Sequence, residues 1–224
     1  MPTLGFVHTV HRLIPGLAEL GRELFPTLEQ AHFLDEAVLR EAIARGGLTP
    51  DLTRRVCDLI TLAAAGSDLV LVTCSSIGPC VDVARSLVAV PVLRIDRPMC
   101  EQAVTAGRRI GVLASLPTTL SPTLALLETC ALEADVHVSF KPALCEGAFA
   151  AAAAGDTATH DRLVLAGWAR LMDPADPVDV VVLAQASLAR VLEQLPPTTV
   201  PVLSSPRSGL QRAGETLLLR ALGG

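Results

Sequence analysis

Four polar clusters in this chain each close an apolar run and stand just ahead of a helical stretch. They are His8-Thr9, Thr73-Cys74-Ser75-Ser76, Ser115 through Ser121 with Thr118 and Thr119 inside it, and Gln185-Ala186-Ser187. Their side chains are a thiol, an imidazole, small hydroxyls and an amide. Such groups bind a carboxylate or phosphate and move a proton beside it. Helix starts add unpaired N–H groups and a partial positive charge, which favour an anion at the same place. Cys74 is the one cysteine of six at a turn of this kind, where a helix N-terminus favours the thiolate. Reactive nucleophile and small buried turn residue are both open readings of it. The other five are Cys57, Cys80, Cys100, Cys130 and Cys145; they form no CxxC and no metal-ligand spacing with the five histidines. Free cysteines of that sort are ordinarily core residues, and no disulfide framework is expected.

Those clusters need elements to hold them. Short β-branched runs alternate with longer helical stretches. Strands are predicted at 3–8, 68–73, 90–95, 109–114, 136–140, 179–183 and 200–203, with a weaker one at 31–34. Runs such as Asp68-Leu-Val-Leu-Val and Asp179-Val-Val-Val-Leu are continuously apolar, as in parallel strands covered on both faces. Thr49-Pro50, Ser121-Pro122 and Ser205-Pro206 pair a capping residue with a proline suited to a first helical turn. Asp35 and Asp156 read as caps, and Gly46-Gly47 as a stop for a helix over 36–45. The fold class is therefore α/β with mainly parallel sheets.

The sequence also repeats itself. Residues 68–76 align with 179–187, Val90-Pro-Val-Leu93 with Val200-Pro-Val-Leu203, and Gly5–Thr9 with Gly111–Ser115. Three matches in one order, at offsets of about 110 residues, imply two similar α/β lobes. We expect residues 1–97 plus 204–224 in the first lobe and 98–203 in the second, with an active-site cleft between them at the strand carboxyl ends.

Composition bounds the function. The 224 residues are 50% hydrophobic and 3% aromatic, and 18 Lys and Arg face 23 Asp and Glu for a formal charge of −5. An acidic, aromatic-poor chain lacks the footprint of a nucleic-acid binder. No apolar run approaches the ~20 residues of a membrane span, and the N-terminus does not read as a signal peptide. A soluble cytoplasmic protein without membrane partners is expected; association of copies stays open.

The turn VTCSSIGP, its counterpart in the second half, and the threonine-rich loop after GVLAS resemble the aspartate/glutamate (and hydantoin) racemase superfamily over most of the chain. The resemblance implies a cofactor-independent enzyme of two similar lobes. In it a cysteine from each lobe takes or returns the α-proton of a small acid. It assigns Cys74 as the first catalytic cysteine, and Ser75 and Ser76 as holders of substrate carboxylate. Thr118 and Thr119 match the central-loop threonines, and His8 and Thr9 fall where glutamate racemases carry an Asp-Ser pair. The second cysteine is missing: Ala184-Gln185-Ala186 stands where the family has G-C-T, and an amide moves no proton usefully near neutral pH. Gln185, Ser187 and Ser115 are then substrate-binding. The resemblance includes members with one catalytic cysteine, an arylmalonate decarboxylase and a maleate isomerase among them.

Three functions follow. One is an isomerase or lyase, a decarboxylase included, acting beside a carboxylate of a small mono- or dicarboxylic acid, with Cys74 as proton shuttle or nucleophile. Another is a true racemase with His8 or Cys145 as second acid/base. The last is a carboxylate-binding protein without chemistry. For His8, a structural hydrogen bond is the competing role. His160-Asp161 is expected solvated or interfacial, and Arg94 with Asp96 or Arg97 as an ion pair beside the site. No metal or cofactor is expected.

Overall fold

A computed structural model describes residues 1–223 and divides them into two compact units, 1–97 with 206–223, and 98–205. In chain order the first unit carries β1 (Thr3–His8), α1 (Ile14–Leu24), β2 (Glu29–Leu34), α2 (Glu36–Arg45), α3 (Pro50–Ala65), β3 (Leu69–Val72), α4 (Cys80–Ala84) and β4 (Val92–Arg94). The chain continues with α5 (Arg97–Ala106), β5 (Arg109–Ala114), α6 (Pro117–Glu133), β6 (Ser139–Leu144), α7 (Ala148–Ala153), α8 (Thr157–Leu171), β7 (Val180–Leu183), a 3-10 stretch at Ala186–Gln194, and β8 (Val202–Ser204). Helix α9 (Ser205–Gly223) then returns to the first unit.

Each unit holds one four-stranded sheet, all parallel, ordered β2-β1-β3-β4 and β6-β5-β7-β8. The two orders are the same when the strands are counted within each unit, as the internal repeat implies. The repeated aspartates explain part of the likeness. Asp68 accepts the Thr3 backbone N–H at 2.8 Å and Asp179 that of Arg109 at 2.8 Å, so each pins the start of the neighbouring central strand. The N–H groups of Arg109 and Arg108 hold the Asp179 carboxyl below its ordinary range.

The central strands are buried on both faces, which is why they read as unbroken apolar runs. In the first unit Val7, Val70 and Val72 pack on α2, α3 and α4, while Leu4, Phe6, Leu69 and Leu71 pack on α1 and α9. Glycine lets α9 come close. A side chain at Gly209 would lie 2.4 Å from the Ile95 carbonyl, within contact that no Cβ tolerates. In the second unit one face joins α5 and α6 and the other α7 and α8.

Capping follows the sequence at three helices. Asp35 accepts from Ala37 N–H, Thr49 from Leu52 N–H and Asp156 from Thr159 N–H, and Gly46 ends α2 at φ 74°. Two expectations shift. The pair Ser121-Pro122 does not start a helix; α6 begins earlier, with Pro117 in its first turn and Pro122 inside it. The strand predicted at 136–140 lies at Ser139–Leu144, because Val136 N–H is taken by the Ala131 carbonyl as α6 ends through Asp135 at φ 53°. Pro142 is tolerated there because β6 is an edge strand.

Candidate active site

In the first unit, β1 and β3 run side by side with Val7 paired to Val72, and their carboxyl ends deliver His8-Thr9 and Thr73-Cys74 together. Strand alternation sends these four side chains two ways. Thr9 and Cys74 follow Val7 and Val72, and Cys74 packs against that cluster. His8 and Thr73 follow Phe6 and Leu71 to the opposite face.

Cys74 is partly exposed, and the other five cysteines are buried. Burial of the sulphur pushes its thiol above the ordinary value. The Thr9 hydroxyl, the backbone N–H groups of Ser76 and Ile77 and the Ser76 hydroxyl pull the other way without prevailing. Thr9 Oγ1 is buried without a hydrogen-bond partner. The sequence led us to expect a helix end that favours the thiolate. The turn after Cys74 is instead a single 3-10 turn, Ser75–Ile77, followed by the five-residue α4. Two N–H groups are too weak a dipole to outweigh desolvation. Ser75 and Ser76 are both buried in that turn.

Behind the turn lies the Arg94–Asp96 ion pair. Arg94 Nε and Nη2 donate to the two Asp96 oxygens, each at 2.9 Å, and both residues are buried. The guanidinium lies over Gly78: a Cβ there would be 2.5 Å from Arg94 Cζ. The expected ion pair is therefore present.

His8 does not stand beside Cys74. Its Nδ1 meets Thr73 Oγ1 at 2.9 Å, its Nε2 meets His32 Nδ1 at 2.9 Å, and the ring stacks with Phe6 and His32. Burial, and then the neighbouring His32, lower its pKa from 6.5 to about 4. A ring with both nitrogens engaged joins β1 to Thr73 and to His32, which fits the structural hydrogen bond, one of the two roles weighed for His8. His32 is the partner that sequence reasoning missed.

In the second unit the corresponding ends are those of β5 and β7. Gln185 Oε1 accepts from the Ser115 backbone N–H at 2.6 Å and from the Ser115 hydroxyl at 3.0 Å. By the repeat, Ser115 corresponds to Thr9 and Gln185 to Cys74, and in the second unit these two positions are joined by hydrogen bonds. Thr118 and Thr119 sit buried in the first turn of α6, whose preceding residue Leu116 offers no capping side chain. Thr118 Oγ1 has no hydrogen-bond partner. Ser187 is half-buried just beyond Gln185.

Cys145 lies in the core of that unit. Burial pushes its thiol up to about 11, and its sulphur is 2.4 Å from where a Cβ on Gly167 would stand. Cys80 is buried likewise, also at about 11. His160 is buried rather than solvated, and its Nδ1 meets the adjacent Asp161 at 2.7 Å. Asp161 also accepts from Arg190 and Gln194, so it ties α8 to the 3-10 stretch. Among the described residues no three His, Cys, Asp or Glu side chains gather as metal ligands. No helix among them is long and apolar enough to cross a membrane.

Two parallel sheets of matching strand order, with a cysteine, small hydroxyls and an amide at corresponding strand ends, fit a racemase-like isomerase. The family model for Asp/Glu/hydantoin racemases matches residues 4–213, and the chain belongs to that family. A comparison with curated proteins finds no match by sequence. Among solved structures the chain is similar to a glutamate racemase from Bacillus anthracis (TM-score 0.74, 14% identity, 98% of this chain and 82% of that one). It is similar as well to an allantoin racemase from Klebsiella pneumoniae (TM-score 0.69, 18% identity, 99% and 89%). A third is an aspartate racemase from Picrophilus torridus (TM-score 0.70, 12% identity, 99% and 94%). At such identities these likenesses speak to the fold.

Proposed function

We propose that the protein is a cofactor-independent isomerase or lyase acting at the carbon next to a carboxylate of a small acid, with Cys74 as the group that carries the proton. The observation behind this reading is Cys74 itself. It is the cysteine left partly exposed, at the carboxyl end of a central strand, where the Thr9 hydroxyl and the Ser76 and Ile77 N–H groups act to lower a thiol pKa that burial raises. Its raised pKa means that the resting form is the thiol, which suits a proton donor better than a standing nucleophile.

Two balanced steps fit such a group. In proton exchange the thiol first gives its proton to solvent; the thiolate so formed takes the α-proton, the C–H electron pair moves into the carboxylate to give an enediolate, and the thiol returns a proton to the same carbon. In decarboxylation the C–C bond breaks, carbon dioxide leaves, its electron pair forms the enediolate, and Cys74 supplies the proton. In the first unit Ser75 and Ser76, and in the second Thr118, Thr119, Gln185 and Ser187, are the groups we assign to carboxylate oxygens. With Gln185 where the family has a second thiol, a proton is delivered from one side only. A true racemase would need another acid/base, and the surroundings of Cys145 and His8 speak against both.

The test is proton NMR in D₂O with both enantiomers of aspartate and glutamate, and with malonate and methylmalonate. The expected result is α-proton loss or decarboxylation of at least one, abolished by Cys74→Ser while binding is retained. Binding without any turnover by the wild type would make the protein a carboxylate binder and end the enzymatic reading. Racemisation of an amino acid at a rate matching its exchange would point to a second acid/base.

A further inference from the structure

The hydrogen bonds of Ser115 decide which way the Gln185 amide faces. A backbone N–H can only donate, so the Gln185 atom 2.6 Å from Ser115 N is the carbonyl oxygen, and chemistry alone fixes the orientation. The Ser115 hydroxyl adds a second bond to the same oxygen at 3.0 Å. With its acceptor occupied, the half-buried amide turns its –NH₂ away from Ser115 and offers donors only. A second, independent feature points the same way. The Thr118 hydroxyl, three residues beyond Ser115, is nine-tenths buried without a hydrogen-bond partner, in a helix turn that no side chain caps. No acidic residue occurs within 115–119 or 184–188.

We infer that Gln185 is the hydrogen-bond donor to an anionic oxygen of the substrate, and that Ser115 is a positioning residue that sets the polarity of its amide. The end of β7 thus stabilises negative charge and moves no proton. This rests on the reading that the site takes a small carboxylate.

The test uses the full chain, malonate as probe, and calorimetry beside thermal melting. Gln185→Glu keeps an oxygen for Ser115 but puts a second oxygen where the –NH₂ was. Gln185→Met removes both roles. If Gln185 served only to hold Ser115, Gln185→Glu would behave as wild type and Gln185→Met would be the damaged one. A donor role reverses that order in binding. Gln185→Met should bind malonate about tenfold more weakly, for one lost hydrogen bond to a charged group. Gln185→Glu should bind it about a hundredfold more weakly, for like charges brought together, while melting no lower than Gln185→Met. Ser115→Ala should weaken binding about fivefold in the wild type and not at all in Gln185→Met, since coupled residues are not additive. Malonate that binds every variant equally and protects Cys74 from iodoacetamide in each overturns the inference and leaves the carboxylate reading standing. Malonate that neither binds nor protects the wild type overturns both.

Discussion

Acidification should destabilise this protein chiefly through one imidazole. His8 is 1% exposed, with its pKa lowered from 6.5 to about 4 by burial and then by His32. The unfolded chain takes up its proton near pH 6.5 and the folded chain only near pH 4. The contribution of His8 is therefore fully present above pH 6.5. It is lost as pH falls from 6.5 to 4, and the loss levels off below that. At about 1.4 kcal/mol per pH unit of separation, the full loss is about 3 kcal/mol, a large part of an ordinary domain's stability. His32 is lowered as well, by burial and then by Arg22, and steepens the same slope. Urea unfolding at pH 7, 5.5 and 4 measures the effect, with His8→Asn as the variant that carries no titrating proton there. The variant should start less stable, having lost the ring's bonds to Thr73 and His32, and then fall more gently with acid. A ring-proton NMR titration reads His8 directly. Identical slopes in the two proteins, or a His8 ring titrating between pH 6 and 7 in the folded chain, would refute the reasoning.

Iodoacetamide should label Cys74 before the five buried cysteines, but slowly at neutral pH. Its rate should keep climbing beyond pH 9, the ordinary thiol value above which burial lifts it, as mass-spectrometric mapping across pH will read. Thr118→Val exchanges an unpartnered buried hydroxyl for a methyl of the same shape. It should raise stability by about 1 kcal/mol in thermal melts without ligand. Gly78→Ala would set a Cβ 2.5 Å from Arg94 Cζ, so the guanidinium must shift against its bonds to Asp96. Overpacking of this kind costs about 1–3 kcal/mol, and urea unfolding should show a loss of that size.

The fold was legible because the central strands declare themselves. Four-residue runs such as Leu69–Val72 and Val180–Leu183 are buried on both faces, and only parallel sheets with helices on each side ask for that. Element ends were less legible where one residue serves two structures. Val136 looks like strand, yet its N–H closes the end of α6, so β6 starts three residues on. Ser121-Pro122 looks like a helix start, yet Pro117 nucleates first and Pro122 is carried inside. Neither outcome follows from local propensity, since both depend on which competing hydrogen bond is made.

The site was legible as residue types and not as faces or charges. Alternation alone separates His8 from Thr9, but sheet order decides what His8 then meets. With β1 between β2 and β3, His32 and Thr73 flank it on either side, and both ring nitrogens are engaged. The state of Cys74 is a contest between N–H donors, visible as a turn motif, and desolvation, which depends on depth and has no sequence signature. The pairing of the two units carries the argument furthest. Thr9 beside Cys74 and Ser115 beside Gln185 occupy the same positions of the repeat, 65 and 70 residues apart along the chain. In each pair a hydroxyl on the first strand tunes the polar group on the third. Beside sulphur, Thr9 draws out charge that burial resists; beside an amide, Ser115 takes up the acceptor and leaves donors. One arrangement of strand ends, with the polar group exchanged from thiol to amide, thus places a titratable group at one strand end and a fixed dipole at the other.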